Sequence, residues 1–141
     1  MSSGGARDER GQVTVLVLGL ALVCFAIAGL AVDGTRVFLA RRTLQSAADA
    51  AATAGAGQLD RRAYYRSGGR ILVLDEESAR RTAARWLGER GLAAGVSIQA
   101  DGRSVSVALR DRVATSWLGL VGITEIPVAV VARSRPIAGA P

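Results

Sequence analysis

The stretch VTVLVLGLALVCFAIAGLAV, residues 13–32, runs for twenty residues without a charge and is closed by Asp33. At 1.5 Å per residue, a helix of that length covers about 30 Å, the thickness of a hydrocarbon core. Twelve of the twenty residues are Val, Leu, Ile or Phe. Each favours insertion by roughly 0.3–0.6 kcal/mol near the bilayer centre, so the segment predicts a membrane-spanning helix. A buried core helix fits less well, because the rest of a 141-residue chain is too small to wrap it. The rival is a cleaved secretory signal. Arg7 and Arg10 would form its basic head, and Gly29-Leu30-Ala31 supplies small residues for a cut after Ala31. Against that, the run is longer than the usual apolar core of about 7–15 residues, and the helical pattern continues past the cut.

Outward on the C-terminal side, residues 34–57 read GTRVFLARRTLQSAADAAATAGAG. No proline interrupts them, and their alanine content favours helix. Val37, Leu44 and Ala51 fall seven apart, with Ala40, Ala47 and Ala54 interleaved. That stripe of period 3.5 is the seam of a packed helix. It either covers the chain's own small domain or packs against copies and relatives of the chain. Together the two segments predict one helix of about 40 residues, roughly 60 Å long. Charge does not fix its orientation. Arg7 and Arg10 precede the span, while Arg36, Arg41 and Arg42 follow it, so the positive-inside count leans slightly towards a cytoplasmic C-terminal side.

Composition narrows the chemistry. All 18 basic residues are Arg, and the formal charge is +6. No basic helix stripe or aromatic stacking platform accompanies that charge, so nucleic acid is not the expected partner. The sequence contains no His, which removes the commonest general base and metal ligand. Its one cysteine, Cys24, lies within the apolar run and has no partner for a disulfide. Asp75, Glu76 and Glu77 are explained by a helix start, and Ser67-Gly68-Gly69 lacks the Lys-Ser/Thr of a phosphate loop. The expectation is a protein that is not an enzyme, with no catalytic residues, metal or cofactor. Asp33 and Asp49 read as surface positions, the alternative being pairing with arginines of a partner.

Beyond the long helix, residues 55–69 (GAGQLDRRAYYRSGG) read as a linker. Its Tyr64 and Tyr65, set among Arg61, Arg62 and Arg66, either pack on the domain or sit at lipid headgroups. Residues 71–74 are a short apolar run resembling a strand. Asp75 then caps a helix whose buried face carries Ala79, Ala83, Trp86 and Leu87, whose wet side pairs Glu76 with Arg80 and Glu77 with Arg81, and which Gly91 ends. Val96, Ile98 and Ala100 alternate with polar residues, as do Val105, Val107 and Leu109. Asp101-Gly102 between them signals a hairpin. Residues 117–121 form a helical turn ended by Gly122. Ile126, Val128, Val130 and Ala132 make a third strand, with Pro127 suited to an edge.

The segment ERGQVTVL…LAVDGTRVFLARRTLQSAADAAATAGA resembles the N-terminal region of TadE/TadG-like proteins, pilin-like components of the tight-adherence (Flp, type IVb-like) pilus machinery. The Ala31-Val32-Asp33 stretch and the Leu44-Gln45-x-Ala47-Ala48-Asp49-Ala50-Ala51 stretch carry the likeness, which covers about the first 57 residues. The resemblance implies a single-pass protein of the inner or plasma membrane, with a cytoplasmic N-terminus and an extracytoplasmic C-terminal domain, acting in pilus assembly or secretion. Its implied partners are other pilin-like subunits or Tad membrane proteins, in homo- or hetero-oligomers, together with the lipid bilayer. It also implies Gly11 and Gln12 as a prepilin-type processing site, although Leu16 stands where processed pilins carry a Glu. The other reading is an extracytoplasmic binding domain released after Ala31.

The expected class is thus α+β: a long, pilin-like N-terminal membrane-spanning helix, then a small domain with one helix on a three-stranded antiparallel sheet. The expected order is a cytoplasmic leader over 1–12, the spanning half over 13–32, the extramembrane half over 33–56, a linker over 57–74, the domain over 75–135 and a tail over 136–141.

Overall fold

A computed structural model describes the backbone of residues 5–91 and 95–136, with side chains from residue 11 onward. Helix α1 runs unbroken over Gly5–Ala56, 52 residues or about 78 Å. It is longer than the periodicity predicts because the leader joins it. Residues 5–12 contain no proline, and a lone glycine such as Gly11 costs only about 1 kcal/mol relative to alanine. Two short helices follow, α2 (Arg61–Arg66) and α3 (Glu76–Gly88). Strands β1 (Gly95–Asp101), β2 (Ser104–Ala114) and β3 (Glu125–Ser134) form an antiparallel sheet in the order β1-β2-β3. Pro127 accordingly lies on an edge strand, where a residue without an N–H is tolerated. The chain divides into two compact units, one of residues up to Arg36 with Ala114–Ile126, the other of Val37–Val113 with the residues from Pro127 onward.

The second unit holds the apolar core. Ala79, Ala83 and Leu87 of α3, Val105, Val107 and Leu109 of β2, and Val128, Val130 and Ala132 of β3 are all buried, as the alternation predicts. Trp86 is only half-buried, and the Arg90 guanidinium lies 3.5 Å from its ring centroid. Asp75 caps α3 as expected, accepting from the Ser78 amide at 3.0 Å. Arg81 pairs with Glu77, but Arg80 turns to Glu77 rather than Glu76. The helix closes at Gly88, and Gly91 lies beyond it with a positive φ.

Two segments differ from expectation. The stretch read as a linker contains α2, capped by the Asp60 carboxylate through the amides of Arg62 and Ala63. It is closed by a bridge between Leu59 and Leu74, the one paired residue of the run read as a strand. Its Tyr64 and Tyr65 are exposed and meet edge to face. The hairpin forms at Asp101-Gly102, but Asp101 pairs with Ser104, so Gly102 and Arg103 occupy the turn centre, neither with a positive φ. The turn is set by the Asp101 side chain instead, which accepts from the amides of Arg103 and Ser104 at 2.8 and 2.7 Å. The tail read over 136–141 lies, apart from residue 136, outside the described residues.

Candidate functional site

The apolar half of α1 has almost no cover within the protein. From residue 11 to 32, Gly29 alone is buried and only Ala21 is half-buried. Among the described residues, α1 is the one helix long and apolar enough to cross a membrane. Gly11 and Gln12 sit within the helix, exposed, and Cys24 is exposed on its surface.

The predicted seam divides. Leu44, Ala47 and Ala51 are buried inside the domain, Val37 packs partly against its core, and Ala40 and Ala54 are half-buried. The fully covered stripe runs instead through Leu44, Ala48, Ala52 and Ala56 alongside Ala47 and Ala51. A straight helix has 3.6 residues per turn, so a seven-residue stripe drifts by about 20° per repeat, and burial slides from Ala54 towards Ala52 and Ala56. This face of the helix therefore covers the chain's own core.

Asp33 is not the solvated surface position that one reading expects. It is 1% exposed. Its Oδ1 accepts from the Ser116 amide at 2.9 Å, and its Oδ2 accepts from the amides of Trp117 and Leu118 at 2.9 and 2.8 Å. These N–H groups open a 3₁₀ turn over Leu118–Val121, which has no side-chain cap of its own. The first amides of any helical turn lack internal partners, and Asp33 supplies them from 83 to 85 residues away. The cover is a single thin loop, so the carboxylate is closed to water without lying deep in the protein. Hydrogen bonds from Leu118 first, then Ser116 and Trp117, with a smaller pull from Arg36, hold its pKa below the ordinary 3.8 against the cost of burial. Asp49, by contrast, is exposed and takes a hydrogen bond from Gln45, as a surface position would.

The loop is fastened at further points. Arg36 Nη1 donates to Ser116 Oγ, and Thr115 Oγ1 donates to the Ile123 carbonyl. The Thr115 amide bonds the Thr124 carbonyl at 2.9 Å and the Ile123 amide bonds the Leu118 carbonyl at 3.0 Å. Gly122 ends the turn with φ 92°, as the sequence anticipates for that glycine. Trp117 lies on Gly29, where an added Cβ would fall 2.6 Å from Cγ of the ring. Only glycine admits the indole there. Sequence reasoning missed this clasp because its halves lie at opposite ends of the chain. The available signals were an Asp closing an apolar run and a Trp inside an uncharged one.

An uncovered apolar helix continuous with a small α+β domain defines a class, the single-helix anchor bearing one folded domain. Within that class, residues 11–58, about a third of the chain, match the family model described as "Putative Flp pilus-assembly TadE/G-like", so over that stretch the chain is similar to TadE/G-like proteins. No curated protein and no solved structure matches it.

Proposed function

We propose that this chain is a membrane-anchored, pilin-like component of a Tad/Flp-type pilus assembly or secretion system. It crosses the inner membrane once, with its N-terminus cytoplasmic and its α+β domain outside, and works by packing against partner subunits rather than by catalysis. The observation that carries the reading is the uncovered apolar length of α1 within the TadE/G-like match. The alanine seam is occupied by the chain's own core, so lateral packing falls to the turns from Val13 to Val32. In lipid, such association rests on close packing around small residues, and Gly19, with nothing within 4 Å, offers an open approach.

Release after Ala31 fits the clasp poorly, because Gly29 seats Trp117 and would leave with the signal. The test is oxidative crosslinking through the native Cys24 in membranes from cells expressing the whole assembly system, with Cys24→Ala as control. Adducts with partner subunits or with a second copy support the proposal. A chain recovered only from the soluble extracytoplasmic fraction, beginning at Val32, refutes it.

A further inference from the structure

The chain from Val113 to Thr124 is uncharged over twelve residues, a run exceeded in length only by the span itself. Several of its apolar side chains are bare, Leu120, Val121 and Ile123 among them. Leu120 and Val121 are 79% and 74% exposed, as bare as Val15 on the span at 72%. Within the unit that joins this loop to the first part of α1, Trp117 covers Gly29. Gly29 lies four residues, about 6 Å, before Asp33 along the helix, so the indole sits beside the last turn of the apolar run.

The geometry points to a second membrane contact: the loop over residues 116–123 lies in the interface of the leaflet through which α1 leaves, with Trp117 at headgroup level and Leu120 and Val121 in the acyl boundary. The inference rests on the reading that residues 13–32 span the bilayer. Lipid is the occupant because the loop is clasped to the span itself, through Trp117 on Gly29, and so brings its bare Leu120 and Val121 to the end of the lipid-facing segment. Tryptophan favours that depth, where its ring is apolar and its N–H stays wet. Irregular backbone is tolerated near hydrocarbon only when its polar groups have partners. Here the amides of residues 115–118, 120, 122 and 123 all have them, three through the Asp33 carboxylate.

The test uses the full chain in lipid vesicles. The sequence has two tryptophans, so Trp86→Phe leaves Trp117 as the sole emitter. Flotation with the vesicles reads anchoring separately from loop depth. The expected result is flotation, blue-shifted emission, and strong quenching by lipids brominated high on their acyl chains, with weaker quenching by those brominated near the chain ends. The double variant Leu120→Asp with Val121→Asp, in the same background, should still float but lose most of that quenching. Flotation with water-exposed, unquenched emission overturns the inference and leaves anchoring intact. Blue-shifted emission that no brominated lipid quenches overturns it in favour of a protein partner or a second copy over the loop. Unchanged quenching in the double variant also overturns it. A chain that does not float refutes the anchor reading, and the loop's membrane contact with it. Should Trp86→Phe disturb the fold, a nitroxide on Leu120→Cys in a Cys24→Ala background reads the same depth. Relaxation by oxygen should exceed that by a water-soluble nickel complex, and the reverse order overturns the inference.

Discussion

Gly29→Ala isolates the contact between Trp117 and α1. The new Cβ would lie 2.6, 2.7 and 2.9 Å from Cγ, Cδ2 and Cβ of Trp117. Comfortable carbon contacts need about 3.5–4.0 Å, so the indole must retreat by about 1 Å. Rotating the ring cannot supply that, because Trp117 Cβ is itself too close and its own amide is fixed on Asp33. Either the indole is expelled or the three-amide clasp stretches. Overpacking of this kind costs about 1–3 kcal/mol, roughly 5- to 150-fold in the opening equilibrium of the loop. The greater helix propensity of alanine does not offset the clash, because α1 is helical whether the loop is open or closed. Amide hydrogen exchange at Ser116, Trp117 and Leu118, measured with the protein in nanodiscs, reads the effect directly. Gly19→Ala is the control, since nothing lies within 4 Å of that position. Exchange at those three amides unchanged from wild type in Gly29→Ala would refute the clasp as drawn.

Asp33→Asn keeps the shape but retains a single acceptor oxygen, so at least one of the three amides should lose protection while α3 exchanges as before. Leu109, fully buried in β2, should cost about 2–5 kcal/mol when truncated to alanine, seen as a lowered Tm of the domain with the anchor helix retained by circular dichroism. Asp75, held low chiefly by the Ser78 amide, and Asp101, held low chiefly by the Arg103 amide, have lower pKa values folded than unfolded. The folded state then binds fewer protons. The stabilisation is complete above the ordinary value of 3.8 and drains as pH falls through the lower folded values, so denaturant midpoints should hold from neutrality to about pH 5 and fall below about pH 4. Mass spectrometry of the mature chain from membranes should give either an intact leader or a start at Gln12. A start at Val32 would contradict anchoring.

The parts of the fold legible in the sequence are those whose causes are local. An uncharged apolar run gives the first half of α1. Asp75 and the acids after it give the start of α3, and alternation gives the three strands and the buried faces of β2 and β3, whereas β1 is only partly covered at Ile98 and Ala100 and leaves Val96 exposed. The alanine stripe was legible as a stripe but not in its final register, because a seven-residue count ignores the slow rotation of a straight helix. The Asp-Gly pair marked the hairpin but not the role of its aspartate, whose side chain, rather than a left-handed backbone, sets the turn. The clasp was not legible at all. Nothing near Asp33 in sequence announces that the donors to its carboxylate are amides more than 80 residues further on.

That separation orders the birth of the protein. Asp33 leaves the ribosome early, yet the groups that occupy it follow up to 85 residues later. At about 5–20 residues per second, roughly 4–17 s of synthesis pass between the two. During that interval the young helix carries a carboxylate at the lip of its oily segment without the three amides that later occupy it. Closure of the clasp therefore waits until the chain has been made almost to its third strand.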